Sequence, residues 1–276
     1  MTVRVHHLNA GTMRPPGGRL VDGRPGLLRR SELVCHCLLV DTGSELVLVD
    51  TGIGLQGARR PAEWLGSQFV LLTNPARDEE LTAHRQIERL GYSPSDVGHI
   101  VLTHLDLDHA GGLADFPQAT VHVYGRELKA LHSETGLAGR TRYRQAHFAH
   151  GPKFSAYDED GDDWFGFASV RQLTGLPPEI VLVPLIGHTR GHAGVAVDTG
   201  KGWLLHAGDA YFFHGQLDPM GARHTPGLRV FERLVQTERG PRIENLHRLR
   251  ALNAEHGDEV TVFSAHDATE LERSLG

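Results

Sequence analysis

The stretch "LTHLDLDHAGG", Leu102 to Gly112, follows an apolar run and sets His104, Asp106, Asp108 and His109 within six positions. Packing alone does not ask for this, because imidazoles and carboxylates are costly to bury unless they pair or bind a cation. On a loop at a strand end, four such donors can be aimed into one volume. Imidazole nitrogen suits zinc, iron and manganese alike, and carboxylate oxygen suits the harder of these. Four ligands exceed what one open tetrahedral ion accepts while leaving room for substrate, so the density points to two metals.

Two ions need donors from elsewhere, and three further segments offer them, each at the end of an apolar run. They are "VPLIGHTRGH" with His188 and His192, "WLLHAGDAY" with His206 and Asp209, and "VFSAHD" with His266 and Asp267. "ELVLVDTG" similarly ends a buried strand at Asp50. Alternating or wholly apolar runs predict strands at "TVRVHHL", "LVCHCLLVD", "LVLVD", "HIVLT", "ATVHVY", "EIVLVPL", "AGVAVDT", "GWLLH" and "VTVFSAH". Helices are predicted over Asp78–Leu90, closed by Gly91, over "GRELKALHS", and from about Arg242 to Glu255. Strands interleaved with helices make an α/β chain. The segment from about 136 to 178, with Tyr143, Phe148, Phe154, Tyr157, Trp164, Phe165 and Phe167, reads as an insertion. Its aromatics suit either an apolar pocket wall or packing within the fold or between two copies, so a homodimer is among the expectations.

With 276 residues, 39% hydrophobic, the whole chain (1–276) is read as one globular domain. A formal charge of −6 argues against broad nucleic-acid binding. The basic runs "RLVDGRPGLLRR" and "GRTRYR" are read as a solvated loop and a solvated helix face. No apolar stretch is long enough to span a membrane, and the amino terminus lacks the apolar centre of a secretory signal. A cytoplasmic protein without a membrane partner is expected. Cys35 and Cys37 read as small buried thiols in a strand.

The ordered set "LVDTG", "THLDLDHAGG", "GHTRGH", "AGDA" and "SAHD" resembles the metallo-β-lactamase superfamily from about residue 30 to 270. The resemblance implies a four-layer αββα sandwich. It implies that His104, Asp106 and His188 hold a first ion and Asp108, His109 and His266 a second, with Asp209 bridging. His188 is the first histidine of H-T-x-G-H, which leaves His192 as a hydrogen-bonding support, as is Asp50. His6, His7, His147, His150 and His206 are expected to be structural. The superfamily's usual pattern is H-x-H-x-D-H, and Asp106 stands where its second histidine would be. That carboxylate keeps iron or manganese in view beside zinc, the leading expectation. The implied activity is hydrolysis of a small ester or lactone, with Asp108 passing a proton to the leaving oxygen. Length and "GHTRGHAGV" look most like N-acyl-homoserine lactone lactonases. Their tyrosine just after the bridging aspartate has Phe212 at the expected offset here, with Tyr211 one residue before it. A phosphodiesterase, or a di-iron protein that binds or reduces a ligand, are the alternatives.

Overall fold

A computed structural model describes residues 3–158 and 160–276. The described residues form two six-stranded sheets. The first contains β1 (Arg4–Met13), β2 (Leu33–Asp41), β3 (Leu46–Val49), β4 (Val97–Val101), β5 (Thr120–Tyr124) and β6 (Lys153–Tyr157), side by side in chain order. β1 to β3 pair antiparallel, and β3 to β6 pair parallel. The second contains β7 (Asp162–Trp164), β8 (Phe167–Gln172), β9 (Ile180–Pro184), β10 (Ala193–Asp198), β11 (Trp203–His206) and β12 (Val260–Phe263). Its order runs β12-β11-β10-β9-β8-β7, antiparallel except for the β11–β12 pair.

Alternation along the strands builds the layers, because successive side chains point to opposite faces. Leu38, Val40, Val47, Val49 and Val101 from the first sheet pack with Ile180, Leu182, Val195, Val197 and Phe263 from the second. Their neighbours Leu39, Leu48 and Ile100 face outward onto Ile87 and Leu131 of two helices. On the far side Val181, Ala196, Leu205 and Val262 meet Leu246, Leu249 and Leu252 of the helix Arg239–Glu255. Helix, sheet, sheet, helix is the expected αββα sandwich.

The structure amends some of the predicted elements. The span Asp78–Leu90 is two pieces, a 3₁₀ turn Glu79–Leu81 and a helix Ala83–Arg89. Thr82 divides them: it is extended, and its hydroxyl accepts from the Arg85 N–H as an N-cap. The last long helix begins at Arg239, three residues earlier than expected. The aromatic-rich segment supplies β6 to one sheet and β7 and β8 to the other. Tyr143, Tyr157 and Phe167 are buried in the three core layers. Cys35 and Cys37 are buried free thiols in β2. Among the described residues, no helix is long and apolar enough to cross a membrane.

Candidate metal centre

The segments singled out by their donors all leave the carboxyl ends of strands. Asp50 follows β3, His104 to His109 follow β4, His188 follows β9, Asp209 follows β11 and His266 follows β12. Parallel pairing of β3 with β4 and of β11 with β12 brings these ends to one edge of the sandwich. Gly208 makes the last approach possible: its φ is +53°, and a Cβ there would lie 2.6 Å from His192 Nε2.

Two groups of donors result. In the first, His188 Nε2 lies 3.0 Å from Asp106 Oδ2 and 3.4 Å from Asp209 Oδ2. His104 Nε2 lies 3.5 Å and 3.8 Å from the same two oxygens. In the second, His109 Nε2 and His266 Nε2 are 3.3 Å apart and 3.2 and 3.1 Å from Asp209 Oδ1. Asp108 Oδ2 is 3.6 Å from His266 Nε2. Ligands about 2.1 Å from a shared ion in tetrahedral geometry lie roughly 3.4 Å apart, so the spacing fits an ion in each group. Asp209 turns Oδ2 to the first group and Oδ1 to the second, an arrangement that would suit a carboxylate shared by two ions. His104 Nε2 and Asp209 Oδ1 are buried with no hydrogen-bond partner, which is costly unless a cation completes them.

The supports are equally specific. Asp50 accepts from the Thr103 N–H, the Thr103 hydroxyl and His109 Nδ1, each at 2.8 Å. Burial works to raise the Asp50 pKa, but His109 outweighs it and holds the carboxyl at about 2. His266 Nδ1 donates to the Val34 carbonyl at 2.6 Å. Both histidines therefore keep Nε2 for the centre. His192 does not ligate: its Nδ1 donates to the Leu185 carbonyl and its Nε2 accepts from the Asp209 N–H at 2.8 Å. His206 lies behind the same turn, bonded to the His36 carbonyl, and His147 bonds the Trp64 carbonyl. His7 pairs with His36 on the sheet, and His6 packs on Tyr92.

Several neighbours carry no signal in the sequence. Glu127, fully buried, accepts from the Leu105 and Gly191 N–H groups and from Thr189, tying the His104 loop to the His188 loop. Cys35, read only as a core thiol, has its sulfur within 4.8 Å of donors on Asp108 and His266. Burial, then Asp108, push its pKa up, so the free thiol stays protonated. Arg142 overturns the reading of "GRTRYR" as a solvated face: its Nε lies 3.1 Å from Asp106 Oδ1. Burial acts to raise the Asp106 pKa, but Arg142 and then His104 hold it well below the carboxylate range. Tyr211 is turned away from the centre, its buried hydroxyl donating to Glu270 Oε1 at 2.8 Å. Phe212 occupies the place beside the donors, stacked 5.5 Å from the His266 ring and edge-on to Phe231.

Known proteins agree with this architecture. The family model for the metallo-beta-lactamase superfamily matches residues 30–266. A Mycobacterium tuberculosis protein named "probable metallo-hydrolase Rv2300c" is 44% identical over 266 residues, 96% of this chain and 80% of its own. The N-acyl homoserine lactonase AttM of Azorhizobium caulinodans is 30% identical, over 80% of this chain and 78% of its own. A crystal structure of an N-acyl homoserine lactone hydrolase, with N-hexanoyl-L-homoserine at its metal centre, superposes with a TM-score of 0.73. It shares 21% identity over 99% of this chain and 97% of that one, a likeness of fold.

Proposed function

Because this chain belongs to the metallo-beta-lactamase superfamily, we propose that it is a metal-dependent hydrolase acting on a small ester or lactone. The observation that carries the reading is Asp209, whose two oxygens each face a separate cluster of imidazoles. His104, Asp106 and His188 would hold one divalent ion, and His109, His266 and Asp108 the other. Two ions held there supply an activated water and polarise the acyl carbonyl. Zinc fits the imidazole-rich set best, with iron or manganese as the alternatives.

The protein's own part is positioning and proton movement. Asp108, its side chain 12% exposed and its Oδ2 3.6 Å from His266 Nε2, would take a proton and deliver it to the leaving oxygen. Phe212 and Phe231 make an apolar side to the centre, which favours an acyl substrate over a phosphodiester. The named lactonase relatives support the same choice. No tyrosine is available to the substrate from the Tyr211 position, since that hydroxyl is committed to Glu270.

A panel of N-acyl homoserine lactones, simple lactones, aryl esters and bis-aryl phosphodiesters, run with metal-loaded protein, tests the reading. Turnover of lactones or esters above phosphodiesters is expected. Preference for the phosphodiesters, or turnover of none, contradicts it.

A further inference from the structure

We propose that Arg142 is a positioning residue for the first ion: it makes Asp106 a one-oxygen ligand and cancels the charge that an aspartate adds at that position. The proposal rests on the binuclear reading above. It answers a question the motif raises, namely how a site tolerates a carboxylate where the related pattern has a neutral imidazole.

Arg142 ends the helix Leu137–Arg142, and its side chain is 17% exposed. Every direction of its guanidinium is used. Nε faces Asp106 Oδ1, Nη1 donates to the Thr237 hydroxyl at 2.8 Å and to the His188 carbonyl at 3.3 Å, and Nη2 donates to the Val235 carbonyl. One side chain therefore holds a donor residue, the backbone of a second donor residue, and the segment behind them. A planar fork with fixed donors suits that task, where a lysine would not. Oδ1 is turned to Arg142 as an ion pair without a hydrogen bond, and Oδ2 is the oxygen nearest His188 and His104. A carboxylate limited to one oxygen matches a small tetrahedral ion, whereas a free carboxylate can present both oxygens to a larger, harder one. The aspartate and arginine charges together sum to that of a neutral histidine.

The pairing makes a prediction opposite to that of motif matching. Asp106→His restores the usual H-x-H-x-D-H pattern but leaves a buried guanidinium without its counter-ion beside a metal. Metal content after zinc loading and dialysis, measured by elemental mass spectrometry, is expected to fall from about two ions per chain to about one. Asp106→His with Arg142→Gln is expected to regain about two. The proposal is overturned if Asp106→His holds two ions as firmly as the parent, or if the double variant holds no more than the single. Arg142→Gln alone gives a second readout that needs no new histidine. With both oxygens freed, the manganese-to-zinc occupancy ratio in competitive loading is expected to rise by about tenfold, and an unchanged ratio overturns the one-oxygen claim. A parent protein holding fewer than one ion defeats the binuclear reading itself, and this proposal with it. Two ions in the parent with unmoved variants defeat the proposal alone.

Discussion

The two halves of the centre solve the same problem differently. In the second half, His109 and His266 are aimed by acceptors behind them, Asp50 and the Val34 carbonyl. In the first half, the Thr103 hydroxyl lies 3.0 Å behind His104 Nδ1, but His188 Nδ1 has no partner, and Arg142 is ion-paired with Asp106 and donates to the His188 carbonyl. In one half both rings are held by acceptors behind them, and in the other an arginine–aspartate ion pair joins the set. On the proposal above, a ligand type changes within a fixed fold when a compensating charge arrives from a distant segment.

The largest expected effect removes what the halves share. Asp209→Ala takes a ligand from both, so both occupancies should fall and turnover should drop by about a thousandfold or more. Elemental analysis beside steady-state kinetics checks this, and retention of one full ion would show that the halves stand independently. Asp50→Ala should act mainly on the second half. Loss of the carboxylate behind His109 is expected to weaken that ion by about 10–100-fold in a chelator competition, with a smaller effect on the first ion, which Asp50 reaches through the Thr103 hydroxyl beside His104 Nδ1.

Smaller effects should appear where the structure places a residue off the centre. Tyr211→Phe leaves Glu270 Oε1 without its donor, while the Ser264 N–H still serves Oε2, costing about 1–3 kcal/mol of stability in urea unfolding with turnover of the folded enzyme unchanged. A loss of turnover there would return Tyr211 to the substrate. Glu270 itself makes stability pH-dependent. Burial, then Asp267, raise its pKa to about 8. The folded chain thus keeps a proton that the unfolded chain has released, and the contribution present at low pH is lost as pH rises towards 8. The melting temperature is expected to fall by about 2–4 °C between about pH 6 and pH 9, and Glu270→Gln should flatten that slope.

The sequence was most legible where chemistry is local. His104, Asp106, Asp108 and His109 declare themselves by density, and His188, Asp209 and His266 by lying at strand ends that converge. The layered architecture followed from runs whose alternate residues now divide between the inner and outer cores. Arg142 is not legible, because nothing in "GRTRYR" separates it from Arg140 and Arg144 except a contact 36 residues back along the chain. Cys35 was hidden for the same reason, its thiol reaching Asp108 and His266 only through tertiary packing. Apolar spacing runs through Thr82 and does not mark the break there, which its capping hydroxyl decides.

The most direct measurement of the central claim is the number of divalent ions per chain at saturation, from equilibrium dialysis of the purified protein against zinc. Two ions per chain, with Asp209→Ala retaining fewer than one, is the predicted result. Saturation of the parent below one ion per chain contradicts it.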